Sequence, residues 1–266
     1  MRAAHIIKMF DEKRYADCRN YCDWAFDARP DVFDPDSMPE EYRCLAVSTF
    51  RTGDVLRAKP MLERLLTMRE YGGDAELRSM LDAASAADRS RIAVLCENES
   101  VTPEINRLTG MIGRLTHVYT HIRKTISVYV PEDQADYERA FRERYPDTAV
   151  YPYDTFMAFC EGSKPTSEWM VFKPQHIALS VPDLALEGMV AHELSHIDMR
   201  SAKIGELMYR ALPGLEMKVN EHLTDLHVME LGLAYPLYCS RNHFGASGVV
   251  LPADSVIGYL DSLQRV

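Results

Sequence analysis

The sequence predicts an α+β chain in which helix predominates, and three observations carry that expectation. From Ala4 to about Ala87 apolar residues recur at helical spacing with no convincing strand. Beyond that point short runs rich in β-branched and aromatic residues (Thr125–Val130, Thr148–Tyr153, Trp169–Phe172 and His176–Leu179) read as strands. The last of these leads into a helical pattern carrying His192-Glu193-Leu194-Ser195-His196. Helices set apart from a small sheet is the α+β arrangement. The chain therefore divides, on this reading, into an all-helical segment, 1–90, and a helix-and-sheet domain, 91–266.

Within the first segment Leu45, Ala46, Gly53, Ala58, Leu62 and Leu65 fall at the spacings of a tetratricopeptide repeat. Tyr15, Cys18, Cys22, Ala25 and Pro30 follow the second half of that pattern one unit earlier. The segment resembles two degenerate TPR-type helical hairpins, with an insertion around Asp31–Pro39 and a half-repeat near Leu77 and Leu81. The consensus Trp and Tyr positions are missing, so a plain helical bundle is the alternative. Either arrangement stacks neighbour on neighbour and offers a groove to a protein partner.

Small and polar residues accumulate from Ala83 to Ser90, where the segments should meet. A long amphipathic helix follows from the Thr102-Pro103-Glu104 cap through Ile105, Leu108, Ile112, Leu115, Tyr119 and Ile122. Thr125–Val130 alternates as a strand and Asp133–Tyr145 is helical. Ser180-Val181-Pro182-Asp183 then reads as a capped start for the motif helix, whose Leu186, Val190, Leu194 and Ile197 form a buried stripe.

On that helix His192 and His196 lie one turn apart on the same face, so both imidazoles can meet one tetrahedral zinc ion. Glu193 sits beside them as a candidate general base. A third ligand is expected about 24 residues on, in Asn220-Glu221-His222-Leu223-Thr224-Asp225. Val219, Leu223, Leu226 and Glu230 mark a second helix there, stopped by Gly232 and Pro236. Glu221 and Asp225 share a face, so Glu221 can ligate while Asp225 accepts the free N–H of a ligating histidine. Asp225 as ligand is the alternative. His222 and His227 are turned off that face and read as surface or packing residues.

H-E-L-S-H followed by N-E-x-x-x-D resembles the gluzincin zinc metallopeptidases, the thermolysin-like group. The likeness covers the two helices and the preceding strand, well under half of the chain. It implies Zn2+ held by His192, His196 and Glu221, Glu193 as general base, and Asp225 as the partner of His192. It also implies a small sheet ahead of the active-site helix. The third histidine of the metzincin pattern is absent between Ile197 and Ile204.

The mechanism expected is attack on a peptide carbonyl by a zinc-activated water, with Glu193 taking the proton and returning it to the leaving amine. A donor for the developing oxyanion should come from Tyr235, Tyr238, Arg241 or His243, with His243 and Tyr238 preferred. The strand around Gln175–Leu179 would line the cleft and pair with an extended substrate.

Composition bounds the remaining choices. Of 266 residues 47% are hydrophobic and 26% charged, an ordinary balance that allows one large domain or two small ones. A net charge of −10 argues against a nucleic-acid partner. No apolar run approaches a bilayer span, and Met1–Phe10 is too short for a signal peptide, so no membrane is expected. Cys18, Cys22, Cys44, Cys96, Cys160 and Cys239 show no paired spacing, which fits free thiols in a cytoplasmic protein, with Cys18 and Cys22 in the core. Three functions follow: a zinc peptidase, a helical scaffold with a residual or structural zinc site, or a zinc hydrolase acting on a non-peptide substrate. An intact Glu193 favours catalysis.

Overall fold

A computed structural model describes residues 3–28, 34–87, 91–155, 158–161, 167–202, 216–245 and 250–263. Among them helix predominates and a small mixed sheet is present, an α+β fold. The expected insertion around Asp31–Pro39 lies partly outside the described residues, as does the end of the Ala83–Ser90 boundary.

Five helices come first: α1 (Ala3–Asp11), α2 (Tyr15–Ala28), α3 (Pro39–Arg51), α4 (Val55–Thr67) and α5 (Ala75–Ala86). Each packs on the next, and Ala46, Ala58, Leu62, Leu65 and Leu77 bury their side chains between α3, α4 and α5. The α3–α4 turn depends on Gly53, whose φ of +92° favours a residue without Cβ. The helix α5 is started by Asp74, which accepts from the Glu76 and Leu77 amides, and it runs through Ala83 to Ala86, further than the expected boundary. Cys18 and Cys22 are buried in the core of α1–α3, as expected from their spacing, and Cys44 joins them there.

The sheet is built from β1 (Val94–Cys96), β2 (Thr125–Tyr129), β3 (Ala158–Glu161) and β4 (Ser167–Phe172) in the order β1-β2-β4-β3. The first three in that order run parallel, and β3 pairs antiparallel with β4 at the edge. Ile126, Val128, Met170 and Phe172 face a core shared with α6 (Pro103–Leu115) and α9 (Asp183–Ser201). On the other face Trp169 and Val171 pack with Tyr137, Phe141 and Tyr145 of the α7 (Gln134–Arg144) region. The sheet is thus sandwiched, and α9 lies on its more extensive side.

Several sequence expectations are corrected here. The helix begun by Thr102 stops at Leu115, not Ile122, because Arg91 donates to the carbonyls of Thr116, Tyr119 and Ile122 and holds them out of a helical ladder. Thr148–Tyr153 is not a strand: Tyr137 donates to the Tyr151 carbonyl at 2.9 Å, and Tyr153–Thr155 forms a single 3-10 turn. The strand of this region is β3, further on. His176–Leu179 is not a strand either. Pro174 opens a one-turn helix, α8 (Pro174–Ile177), and Arg107 takes the carbonyls of Ala178 and Val181 at 3.2 and 2.6 Å. A substrate-pairing strand at Gln175–Leu179 is thereby removed. Ser180 does not cap α9; its N-cap is Pro182, without a side-chain bond.

Among the described residues the remaining helices are α10 (Glu216–Glu230), α11 (Ala234–Phe244) and α12 (Ala253–Ser262). Gly232, at φ +82°, makes the sharp turn from α10 into α11. The final helix α12 returns to the start of the chain, where Tyr259 donates to Asp17 at 2.6 Å.

Candidate metal centre

Nearly every residue of α9 is buried, because the helix is wrapped by the sheet and α6 on one side and by α10 and α11 on the other. The expected stripe of Leu186, Val190, Leu194 and Ile197 is fully enclosed. Gly188 lets α11 approach closely: a Cβ there would sit 2.1 Å from the Pro236 carbonyl oxygen. These contacts fix the rotation of α9 about its axis. That rotation decides where His192 and His196, four residues apart, present their rings.

The two rings stand at 90° with their Nε2 atoms 3.2 Å apart. Glu221 on α10 completes the group, its Oε2 2.9 Å from Nε2 of His192 and its Oε1 3.4 Å from Nε2 of His196. Among the described residues this is the cluster of His, Cys, Asp and Glu donors able to hold a metal ion, all within 4.8 Å of one another. The fit can be tested against zinc. Bonds of 2.0–2.1 Å in a tetrahedral shell keep neighbouring ligand atoms about 3.3 Å apart; the two Nε2 atoms, 3.2 Å apart, match that value, and Glu221 offers a different oxygen to each ring at 2.9 and 3.4 Å. Two nitrogens and one carboxylate oxygen is also a donor set of catalytic zinc sites.

The far side of each imidazole is held as well. His192 Nδ1 lies 2.8 Å from Asp225 Oδ1, a bond that holds a proton on Nδ1 and turns Nε2 toward the cluster, where it can ligate once its own proton is lost. Asp225 therefore sits on the side of His192 away from the cluster and is not its third donor. His196 Nδ1 is 3.1 Å from Thr224 Oγ1 and 3.4 Å from Asn220 Nδ2. Arg241 of α11 donates to Asp225 at 2.6 Å and is buried with it. The Leu251 amide donates to the other Asp225 oxygen at 2.8 Å.

Electrostatics follow this wiring. Burial works against a charged His192, but hydrogen bonds to Asp225 and Glu221 outweigh it and lift its pKa to about 9. Burial likewise opposes charge on Glu221, yet bonds from His192 and His196 hold its carboxyl well below the usual range. Asp225 is lowered too: burial acts against it, and the His192 bond and the charges of His192 and Arg241 prevail. Glu193 behaves in the opposite way. Burial pushes its carboxyl up, only partly countered by the neighbouring histidines.

Of the four candidates for the oxyanion donor, Arg241 bonds to Asp225 beside the cluster, and the two preferred ones have other contacts. Tyr238 stacks on Tyr235 at 6.1 Å, whose hydroxyl donates to Asp27 of α2. His243 is exposed and packs edge-on against Phe244. Two steps along a helix turn a side chain by about 200°, so with Arg241 facing inward His243 faces out. His227 pairs with Asp198, 3.1 Å away, outside the cluster. Thr224 was missed; its position one turn beyond Glu221, on the same helix face, was the available signal.

Against protein-family models, curated proteins and solved structures the chain finds no match.

Proposed function

We propose that this protein is a zinc-dependent peptidase. The observation that carries the reading is the donor triad of His192, His196 and Glu221, with a buried carboxylate of raised pKa, Glu193, adjacent to the first ligand in sequence. A structural zinc site has four protein ligands, whereas three protein donors leave a coordination position for chemistry.

A zinc ion held by these groups supplies the Lewis acidity that polarises a carbonyl and makes water a usable nucleophile near neutral pH. The protein's own residues do the rest. Glu193 takes a proton from the attacking water and returns it to the leaving amine as the C–N bond breaks. Asp225 keeps His192 in the ligating tautomer, and Thr224 and Asn220 orient His196. The neighbouring sheet edge is β3, and Cys160 on it contacts the Glu193 carbonyl at 3.4 Å. An extended peptide added to that edge would run beside the helix that carries the base. This role passes to β3 from the segment 175–179.

The test has two parts. Metal analysis of the purified protein should give about one zinc per chain, lost in His192→Ala. Comparison of new protein termini generated by wild type and by Glu193→Gln should show cleavage by the former alone, with zinc retained in both. Equal cleavage by the two proteins would overturn the assignment.

A further inference from the structure

We propose that Arg19 and Asn20, adjacent on α2, are positioning residues for the metal centre, which they do not touch. The proposal rests on the reading of His192, His196 and Glu221 as that centre.

The side chain of Asn20 is completely buried; besides donating to the Tyr259 hydroxyl at 3.3 Å, it makes two bonds of opposite polarity to the α10–α11 region. Its amide nitrogen donates to the Met229 carbonyl at 2.8 Å, and its oxygen accepts from the Ala234 amide at 2.7 Å. These groups flank the turn between α10 and α11. Asn20 thus fixes the angle between the helix bearing Glu221, Thr224 and Asp225 and the helix bearing Arg241. The backbone approach is close: a Cβ on Gly232, inside that turn, would sit 3.0 Å from Cδ of Arg19.

Arg19 fastens the other ligand helix. It donates to Asp54 at 2.7 Å, Arg114 donates to the same Asp54 oxygen at 2.6 Å, and Arg114 reaches Glu187 at 2.8 Å. Glu187 lies on α9, five residues before His192. The line of charges Arg19–Asp54–Arg114–Glu187 runs from α2 through the start of α4 and the end of α6 to α9. One dipeptide on α2 therefore holds both elements that carry the metal donors.

Stability alone is a poor account of this arrangement. Nε of Arg19, Oδ1 of Asp54 and Oε1 of Glu187 are buried without a hydrogen-bond partner. An incompletely satisfied buried ionic chain is commonly no more stabilising than apolar packing of the same volume. What directional bonds add is a single geometry. Ligand separations near 3 Å between two helices demand that, since a small rotation of α10 against α9 would part Glu221 from the imidazoles.

The experiment uses the full chain and Co2+, whose visible absorption reports the shape of its ligand shell. Asn20→Ala and the isosteric Glu187→Gln are compared with wild type, and Leu65→Ala serves as a core-destabilised control distant from the site. Asn20→Ala and Glu187→Gln, where folded by circular dichroism, should bind Co2+ about tenfold or more weakly with displaced absorption bands. Leu65→Ala should keep the wild-type spectrum and affinity. A folded Asn20→Ala with wild-type affinity and spectrum overturns the proposal, as does an equal loss in Leu65→Ala. Should Asn20→Ala not fold, Glu187→Gln decides by the same two readings. Failure of wild type to bind Co2+ at all would instead remove the metal reading, and the positioning role with it.

Discussion

Arg241 and His192 converge on one oxygen: Oδ1 of Asp225 lies 2.6 Å from the guanidinium and 2.8 Å from the imidazole. The carboxylate is fully enclosed, so its charge acts on His192 with little screening. Asp225→Asn keeps the size of the side chain and removes that charge. Zinc affinity should fall 10- to 100-fold, the usual consequence of losing such a partner. Competition against a chromophoric chelator measures it, and an unchanged affinity would mean that Asp225 does not govern His192.

Metal binding should release a proton near neutral pH. In the metal-free protein His192 titrates at about 9, above the value of about 6.5 expected in the unfolded chain. The stability it contributes is therefore complete below pH 6.5 and disappears as pH rises through 9. Ligation needs the neutral ring. Zinc affinity should accordingly climb about tenfold per pH unit between 7 and 9 and then level off. Titration in buffers of different ionisation enthalpy would count the proton; zero released at pH 7.5 would refute the coupling to His192.

Gly188→Ala tests the approach of α11 to α9. Alanine favours an isolated helix by up to about 1 kcal/mol over glycine. Against that stands a contact of 2.1 Å with the Pro236 carbonyl oxygen, a backbone atom that cannot swing aside. Overpacking of this kind costs about 1–3 kcal/mol or more, so the net effect should be destabilising. Urea unfolding would reveal a lower midpoint, and a stabilised variant would show that the helices separate freely.

Leucine truncations should divide by environment. Leu194, fully buried in the main core, should cost about 2–5 kcal/mol as Ala. Leu226 is 45% exposed on α10, and its replacement should change stability by less than about 0.5 kcal/mol. Thermal unfolding of the pair checks the contrast.

Much of the centre was legible because helical periodicity converts spacing into geometry. Residues 192 and 196, or 221 and 225, share a face whatever surrounds them. The 3.6-residue pattern also located the helical first third, α7 and α9. What escaped was set by side chains distant in sequence. Arg91 ends α6, Tyr137 holds the carbonyl of Tyr151, and Arg107 claims those of Ala178 and Val181; none leaves a mark in the segment it reshapes. The strand β1 has only three residues, too few for alternation to register. Arg241 was among the candidates but ranked below His243, since the rotation of α11 is fixed by Gly188 on another helix.

The buried amide of Asn20 finds its partners 209 and 214 positions later in the chain. During synthesis that polar group must wait, solvated, until residues 229–234 have emerged. The face of α2 that carries Asn20 is therefore sealed only once α10 and α11 have been made, although the early helices hold cores of their own. A ribosome-bound chain halted before residue 229 should consequently expose α2 to protease, while a released chain that includes α10 and α11 should protect it.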